Sequence, residues 1–557
     1  MKQKILLIRC ISGDSISNDE IEMAEIPLNT EAKNEFSQSC LKEMDVDDFL
    51  TNIGEFGKSQ KLTLFFLSLL MIPASYQSLL ITFIGINPSW ICTNKTIECN
   101  LTGVISVNHR LYNKRCSMKR ESWRYEKEIE FSIISEWDLI CDKLTHTYMV
   151  NSGAHIGGGI GTIFVGFLSD RYGRKRTLFP TFLVLIGVSF ASAFVREFWT
   201  FFVLRILTGF LQGGLYLSLW ILMTELLGPS SRSYSNLVWC SYTIAMCLMA
   251  LQSWLVWQWR ILVIILTAPY LIFLLTYSFI TESVRWLRVK GDIVTAEKIL
   301  RQIAKCNQKP WPNAKLKPIT DQQKEVKASY KDIFYPFNVF LSTFVQAAIW
   351  FSNGSAYYGI SLASEHLSDN IYRDFFLISI VDIPSNIIII WLCNRFGRKW
   401  TTVLSTIIGG LFVVMLSFIP SHSGYVGIRV TVAVIAKFCV NLSYGAVYIW
   451  STELFPTSIR SQGLGVCAWA AILGAAAAPW FSQYLGYVHR SLPFCVMGSI
   501  LIISGIFCCV LKETNGKSTA ETLSDRNRNI VVDDTITDAE LDYELIAKNV
   551  ESKKIIL

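Results

Sequence analysis

Charged residues are scarce in this 557-residue sequence: Asp, Glu, Lys and Arg together make up 17% of the chain, against about 25% in an average soluble domain. Hydrophobic residues make up 51%. Most of the apolar runs lack the polar stripe that a surface helix of a soluble protein carries. The composition therefore excludes an ordinary soluble globular protein. The net charge of +7 gives no reason to expect a nucleic-acid partner.

Signatures of catalysis are also missing. No Gly-rich loop ending in Lys-Ser or Lys-Thr occurs, so direct coupling to ATP hydrolysis is not expected. No His, Asp and Glu cluster has the spacing of metal ligands. We therefore predict no enzyme, no metal and no cofactor. The opening MKQKILLIRC is too short and is interrupted by Arg9, so we expect no cleavable signal peptide. Met44 is a possible alternative start.

Long apolar runs are what the sequence has instead, and a run of about 20 apolar residues crosses a bilayer as a helix. Twelve runs qualify: 62–84, 147–167, 177–194, 198–222, 237–256, 261–280, 338–359, 375–393, 401–419, 426–450, 464–481 and 492–511. The predicted fold class is therefore an all-α membrane protein with twelve transmembrane helices in two six-helix halves.

Five regions follow from these runs. They are a largely disordered cytosolic extension (1–60), a first half (61–280), a cytoplasmic linker with short helices (281–337), a second half (338–511) and a cytosolic acidic tail (512–557). Short basic loops stay cytoplasmic. The clusters at 171–176 and 394–399 and the basic segment 281–335 fall on one side of the count. This predicts that both termini are cytoplasmic.

The segment 85–146 falls on the other side. It is basic, but long loops are translocated largely regardless of charge. Its glycosylation sequons at Asn94 and Asn100 support an extracellular position at the plasma membrane. It also holds four cysteines, which are Cys92, Cys99, Cys116 and Cys141. An even count in an oxidising compartment predicts two disulfides, in one of three possible pairings.

Three motifs recur in order in the two halves. These pairs are 166-GFLSDRYGRKR-176 with 392-LCNRFGRK-399, 225-ELLGPSSR-232 with 453-ELFPTSIR-460, and 281-TESVRW-286 with 512-KETNG-516. Two repeated six-span halves are typical of secondary transporters, which bind substrate near the midplane between the halves. We expect the charged residues of these motifs to exchange partners when the halves rock: Asp170, Arg171, Arg174, Glu225, Arg232, Arg398, Glu453 and Arg460. The basic residues also hold their loops in the cytoplasm.

From about residue 45 to 516 the sequence resembles solute carrier family 22, the organic cation, anion and carnitine transporters of the major facilitator superfamily. The resemblance rests on 52-NIGEFGKSQ-60, on 135-SEWDLICD-142, on 282-ESVRWL-287 and on the paired motifs above. It implies alternating access. Val284 stands where a Pro is usual, and Asn394 replaces the usual acidic residue of the second basic turn.

Ionisable residues inside spans are candidates for function because they are costly to insert. Asp382 and Lys437 lie in the second half, and Arg205 lies in the fourth span. Asp382 and Lys437 form either a buried structural pair or a site for substrate or protons, and the sequence does not decide between these. We expect Arg205 and His155 to be structural.

Aromatic faces attract organic cations. Tyr357 and Tyr358 are the leading candidates, because 350-WFSNGSAYYG-359 resembles the seventh span of the family; Trp350 and Tyr242 are further candidates. The resemblance also points to Ile472, seven positions before Pro479, where the family tends to carry Asp or Arg. Since Ile carries no charge, this departure predicts either a neutral, zwitterionic or weakly cationic substrate, or a substrate charge that is recognised elsewhere, for example by Asp382.

The sequence therefore predicts a secondary transporter that moves a small organic cation, a zwitterion such as carnitine or a related organic ion across the plasma membrane. Two alternatives stay open. One is a transporter-like membrane protein that binds without transport, which the uncharged Ile472 and Asn394 would suit. The other is a sugar-porter-like member of the same superfamily. The sequence predicts neither the driving ion nor the oligomeric state.

Overall fold

The computed structural model describes residues 42–514 apart from 94–98, 100, 108, 110, 229–230, 232–233, 236, 313, 319–336, 369, 421–422, 456–458 and 490. This part of the chain forms two compact units. The smaller unit combines residues up to Leu62 with Glu225–Arg232 and Glu282–Gln323. The larger unit holds the long apolar helices.

The long helices match the twelve predicted runs in number and order. They are Lys58–Leu79 (span 1), Thr145–Tyr172 (span 2), Arg174–Ser192 (span 3), Phe198–Leu226 (span 4), Val238–Leu255 (span 5), Trp259–Ser278 (span 6), Phe337–Leu362 (span 7), Ile371–Phe396 (span 8), Arg398–Leu416 (span 9), Val426–Leu454 (span 10), Arg460–Tyr484 (span 11) and Leu492–Val510 (span 12). Within the described residues, nine of them are long and apolar enough to cross a membrane by composition alone, the exceptions being spans 2, 3 and 7.

Several spans are not continuous α-helices. Span 1 is followed directly by the short helix Ile81–Ile84, and span 6 changes from α-helix at Trp259–Ile265 to a 3-10 helix at Ala268–Ser278. Span 8 is divided into Ile371–Ile380 and Asp382–Phe396. Span 11 ends in a π-helical turn at Trp480–Tyr484, which continues into Leu485–Val488.

Spans 2 and 4 touch backbone to backbone through glycine. A Cβ atom on Gly209 would lie 1.9 Å from the carbonyl oxygen of Ala154, and one on Gly161 would lie 1.8 Å from that of Phe210. Only glycine permits such an approach, which is how apolar helices pack closely without a hydrophobic driving force. The Gly-rich sequence of span 2 therefore reflects packing.

Glycine also forms the two basic turns. Gly173 joins span 2 to span 3 with φ of 113°, and Gly397 joins span 8 to span 9 with φ of 88°. These values are in the region that favours glycine over residues with a side chain. We call the end of the bundle with these turns the basic-turn end. The opposite end, from which residues 85–144 extend, is the loop end.

Residues 85–144, the long loop, fold around an aromatic core. Strand β2 (Trp90–Cys92) pairs antiparallel with β3 (Trp123–Tyr125), and Tyr112 packs with them. The remaining ordered elements are the turns Tyr112–Ser117, Arg120–Ser122, Ile129–Phe131 and Cys141–Lys143 and the helix Ile133–Glu136. The structure pairs Cys92 with Cys99 and Cys116 with Cys141.

The smaller unit contains residues that the sequence did not predict to be ordered. Strand β1 (Lys42–Met44) pairs parallel with β4 (Ala314–Leu316), beside the helices Val46–Ile53, Val284–Val289 and Ile293–Cys306. Val46, Phe49, Leu50 and Ile53 follow helical spacing and are buried against the helices of the linker. The prediction of a largely disordered extension is therefore wrong for residues 42–60, and residues 1–41 lie outside the described part.

Ion pairs fix this small unit. Arg285 pairs with Asp47, and its Nε also donates to the carbonyl oxygen of Glu225 over 3.2 Å. Arg288 pairs with Asp45 at 2.7 Å. Arg285 belongs to the motif 282-ESVRWL-287 and Arg288 follows it directly, so this stretch fastens the N-terminal helix to the linker.

Candidate functional site

The break in span 8 places a carboxylate inside the bundle. Pro384 has no N–H to donate to the carbonyl oxygen of Ile380, so the helical ladder is interrupted there. Asp382 begins the second helical segment and is 2% exposed. A helix N-terminus favours negative charge. Broken membrane helices are also where transporters commonly place substrate and ion sites.

Asp382 has one occupied and one free oxygen. Its Oδ2 accepts a hydrogen bond of 2.7 Å from the hydroxyl of Tyr357 in span 7. Its Oδ1 is buried and has no hydrogen-bond partner among the described residues. Buried polar atoms are rarely left unpaired, and an exception calls for a partner such as a water or a ligand.

Lys437 of span 10 approaches the same tyrosine from the other side. Its Nζ donates to the carbonyl oxygen of Tyr357 and to the hydroxyl of Ser361, both over 2.8 Å. The same atom lies 3.1 Å from the centroid of the Tyr357 ring. Tyr357 therefore separates Asp382 from Lys437, and the two charges interact through it.

Aromatic side chains connect these residues to the first half. The ring of Tyr242 in span 5 lies 6.5 Å from that of Tyr357, and the ring of His155 in span 2 lies 4.7 Å from that of Tyr358. Tyr242 Oη and His155 Nε2 are buried without a hydrogen-bond partner among the described residues. We call Tyr242, Tyr357, Tyr358, Asp382 and Lys437 the central cluster. Five of the predicted candidates thus meet where the halves face each other.

A polar network in the first half adjoins this cluster, and the sequence analysis missed most of it. Gln212 donates to the hydroxyls of Ser78, over 2.5 Å, and Tyr216, over 3.0 Å. The aromatic chain Tyr216, Trp239 and Tyr242 continues from it, with ring separations of 6.3 and 6.1 Å. The detectable signal was a polar residue in an apolar run, since Gln212 lies among Gly and Leu.

Trp350 and Ile472 lie apart from the central cluster. Trp350 is buried, donates to Ser451 over 2.9 Å and packs on Tyr448 at 4.2 Å, so it belongs to the core of the second half. Ile472 is half-buried in span 11. Its neighbour Ala471 packs on the backbone of span 7, where a Cβ on Gly354 would lie 2.4 Å from the Ala471 carbonyl oxygen.

Arg205 is held within the first half, as a structural role requires. Its Nη1 donates to Gln77 Oε1 over 2.8 Å and its Nη2 to the Gln77 carbonyl oxygen over 2.9 Å. The side chain is 2% exposed. Arg205 therefore ties span 4 to the end of span 1.

The charged residues of the basic turns pair within their own halves in this structure. Asp170 forms an ion pair with Arg174, and Arg171 lies 5.5 Å from the ring of Tyr172. Arg398 pairs with Glu453 at 3.1 Å in the second half. The backbone of Arg232 and the side chain of Arg460 lie outside what the structure describes, as do the sequon residues Asn94 and Asn100.

Glu513 supplies the acid that the second turn lacks at Asn394. Its carboxylate accepts from the backbone N–H of Arg398 over 2.9 Å and of Lys399 over 3.0 Å. These are orphan donors at the start of span 9, where a negative charge is favourable. The repeat motif 512-KETNG-516 contains this residue, but the sequence did not reveal its role.

The motif 135-SEWDLICD-142 fastens the long loop to the first half. Glu136 accepts from Trp259 Nε1 over 2.7 Å and pairs with Arg260. Trp137 Nε1 donates to the carbonyl oxygen of Arg196 over 2.8 Å.

The same motif also makes a contact within the long loop. Asp138 accepts from the hydroxyl of Tyr125 over 2.6 Å. The motif is therefore an anchor and not part of the central cluster.

Comparison with known sequences finds relatives over most of the chain. The family model described as "Sugar (and other) transporter" matches residues 91–524. The human organic cation/carnitine transporter 2 is 28% identical over 522 residues, which cover 86% of this chain and 93% of that protein. Solute carrier family 22 member 6-A of Xenopus laevis is 32% identical over 421 residues, which cover 74% of this chain and 75% of that protein.

Solved structures share the fold. The xylose transporter XylE from E. coli, in a partially occluded inward open conformation, matches with a TM-score of 0.57 at 17% identity, covering 82% of this chain and 99% of that one. A crystal structure of a D-xylose-proton symporter matches with a TM-score of 0.55 at 15% identity, with the same coverage. Identity this low shows the fold alone. The predicted major facilitator fold is confirmed, and the orientation of the termini stays a prediction.

Proposed function

We propose a substrate site and a substrate class for this chain, which belongs to the sugar (and other) transporter family and to solute carrier family 22. It is a membrane transporter for small organic solutes and not an enzyme. The proposed site is the central cluster. The observation that carries the proposal is the free Oδ1 of Asp382, which is buried. Its neighbour Tyr357 has its ring 6.5 Å from that of Tyr242 in the first half and 5.4 Å from that of Tyr358.

The charges of the cluster favour a substrate with a positive group. Lys437 already donates to two oxygens and lies on the face of Tyr357, whereas Asp382 has an unused acceptor. An ammonium group would satisfy that acceptor, and each aromatic face would add about 0.5–2 kcal/mol. Ile472 contributes no charge. The substrate is thus an organic cation or a zwitterion, in keeping with the organic cation/carnitine transporters among the relatives.

The mechanism is alternating access. The halves rock about the central cluster, and the cytoplasmic ion pairs Asp170–Arg174 and Arg398–Glu453 exchange partners as they do so. The membrane is the plasma membrane. The two disulfides of the long loop support this location, since disulfides persist on the oxidising side of secretory-pathway membranes.

The test is uptake of labelled tetraethylammonium, carnitine and an aromatic anion by cells that express the chain, with and without sodium and a membrane potential. We expect uptake of the cation or the zwitterion. We expect Asp382→Asn to reduce its apparent affinity about 10- to 100-fold, because a hydrogen bond to a charged group contributes about 1.5–3 kcal/mol.

The matched control is Asp292→Asn. Asp292 caps the helix Ile293–Cys306 with an exposed side chain, and Asn is an equally good cap. Surface labelling separates loss of affinity from loss of protein. Uptake of the anion alone, or unchanged cation affinity in Asp382→Asn at normal surface level, would refute the proposed site.

A further inference from the structure

One side-chain contact joins the two halves at the loop end. Glu365 lies in the turn Ala363–His366, directly after span 7, and Asn87 follows span 1 and its short extension. The backbone N–H of Asn87 donates to Glu365 Oε1 over 3.0 Å, and its side-chain amide donates to Oε2 over 3.2 Å. Both oxygens of a carboxylate from the second half are thus bound by one residue of the first half.

Packing beside this contact closes the same end. Phe83, four residues before Asn87, stacks on Tyr372 at 5.8 Å and packs edge-on against Phe375 at 4.9 Å. Both partners belong to the first part of span 8. Opening the loop end requires these apolar contacts and the Asn87–Glu365 contact to separate together.

A second crossing occurs between spans 2 and 11. The N–H of Trp480 bonds to the carbonyl oxygen of Ala477, and the carbonyl oxygen of Ala476 accepts from Ser152 Oγ over 2.6 Å. Trp480 Nε1 donates back to Ser152 Oγ over 3.0 Å. The contacts of Ser152 with span 11 therefore provide a second contact between the halves, which should also separate when the loop end opens.

The long loop fixes the position of Asn87. The next residue, Pro88, accepts a hydrogen bond of 3.1 Å from the hydroxyl of Tyr112, and Trp90 Nε1 donates to the Tyr112 carbonyl oxygen over 3.0 Å. Arg115 lies over the Tyr112 ring at 4.0 Å and is 4% exposed. Its Nε and Nη1 have no hydrogen-bond partner among the described residues.

We propose that Asn87 and Glu365 form a latch through which the long loop holds the loop end of the transporter closed, and that external pH sets the strength of this latch. The inference rests on the alternating-access mechanism proposed above. It gives the long loop a function of its own, namely holding the loop end closed. Substrate binding at the central cluster does not explain why the long loop is present.

The pH dependence follows from the surroundings of Glu365. Burial raises its pKa to about 7, although the hydrogen bonds from Asn87 and the positive charge of Arg115 oppose this shift. Once the loop end opens, the carboxyl meets water and its pKa returns to about 4.3. The closed state therefore binds the proton more tightly, so acid favours closure and closure weakens as the pH rises through 7.

Other titratable and charged groups lie near the latch. Burial raises the pKa of Tyr112, which stays neutral. Arg429 of span 10 donates to the carbonyl oxygen of Leu367 over 3.3 Å, and Arg373 pairs with Asp374 at 3.0 Å.

The test measures closure without any substrate. The reporter is Ala476→Cys in the full-length chain, which keeps the backbone carbonyl that Ser152 binds. A membrane-impermeant thiol reagent is applied to intact cells, and the labelling rate is compared among the parent, Glu365→Gln and Glu365→Ala. The chain without the reporter gives the background from the native free cysteines. Since no substrate is present, the result does not depend on the proposed substrate class.

We expect Glu365→Ala to be labelled up to about tenfold faster than Glu365→Gln, because Gln keeps an acceptor for Asn87 and Ala does not. We expect the ratio of the parent rate to the Glu365→Gln rate to fall on the order of tenfold between about pH 7.5 and about pH 5.5. Taking this ratio cancels the titration of the reporter thiol itself. The ratio of Glu365→Ala to Glu365→Gln should not change with pH.

Equal labelling of Glu365→Ala and Glu365→Gln would overturn the latch. A parent ratio that is independent of pH would overturn its pH dependence. If Glu365→Ala does not reach the surface, Asn87→Ala removes the amide donor from the opposite side, and the same faster labelling is expected. A failure of every organic cation to be transported would refute the proposed function and leave these outcomes unchanged.

Discussion

The hydroxyl of Tyr357 donates to a carboxylate oxygen of Asp382 over 2.7 Å, and Lys437 Nζ lies 3.1 Å from the centroid of the same tyrosine ring. One side chain thus mediates between a buried acid and a buried base. The three residues come from spans 7, 8 and 10, so the contact also ties the second half together.

Removing that hydroxyl should destabilise the protein. Tyr357→Phe leaves the ring on Lys437 but takes the partner from Asp382 Oδ2. A hydrogen bond to a charged group contributes about 1.5–3 kcal/mol, so we expect a lower thermal midpoint for the purified protein. Tyr444→Phe is the control, since its ring packs on Tyr357 at 6.1 Å without a described bond to Asp382. Equal midpoints for the two variants would contradict the assignment.

Charge balance in the cluster gives a second prediction. Lys437→Met leaves Asp382 as a buried charge without a nearby base, which should destabilise the protein. Adding Asp382→Asn removes the remaining charge, so the double variant should be more stable than Lys437→Met alone. The measurement is a double-mutant cycle on thermal stability.

Additive effects in this cycle would mean that the two charges do not interact through Tyr357. The cycle also tests the two roles that the sequence left open for Asp382 and Lys437, a buried structural pair or a site for substrate or protons. If stability recovers in the double variant but uptake does not, the pair serves substrate recognition as well as structure.

The twelve spans could be predicted because the sequence alone shows apolar runs long enough to cross a membrane. The contacts of the central cluster could not. Tyr357 and Asp382 are 25 residues apart and Lys437 is 80 residues from Tyr357, so their meeting depends on how three helices cross. Trp350 and Tyr357 lie in the same span, and the sequence offered no means of telling the packing aromatic from the one at the cluster.

The ordered N-terminal helix shows a different limit. Its apolar residues Val46, Phe49, Leu50 and Ile53 have the spacing of an amphipathic helix, but the acidic composition around them suggested disorder. Only the buried partners in the linker, such as Leu300, explain why the helix forms. The deciding interaction is with residues about 250 positions away in the chain, as the 243-residue separation of Asp45 and Arg288 shows.

Glu513 gives a third prediction at the basic-turn end. Glu513→Gln keeps one acceptor for the N–H groups of Arg398 and Lys399 but removes the charge at the start of span 9. Helix-terminus charges of this kind contribute about 0.3–2 kcal/mol, so a small fall in thermal stability is expected. Lys512→Gln is the control, because the Lys512 side chain is exposed and its carbonyl oxygen, not its side chain, accepts the bond from Trp450. No difference between the two variants would show that Glu513 does not cap the helix.

Asp170 allows stability and turnover to be separated. Its side chain is 69% exposed although it pairs with Arg174. Exposed ion pairs contribute about 0–1 kcal/mol, so Asp170→Asn should leave the thermal midpoint nearly unchanged. If the Asp170–Arg174 pair exchanges partners when the halves rock, the same variant should lower the rate of uptake per molecule at the surface. Surface labelling and saturating uptake on the same cells measure both quantities.

The two outcomes of this experiment assign the first basic turn to different roles. A lower turnover with normal surface level and stability means that the charge of Asp170 acts during the conformational change. Equal losses of turnover and surface level mean that the ion pair serves folding, and that the basic residues of the turn mainly hold the loop on its side of the membrane. Arg174→Lys tests the role of the ion pair at its other residue. Lys keeps the positive charge but loses the guanidinium group, which also donates to Ser169 over 3.4 Å.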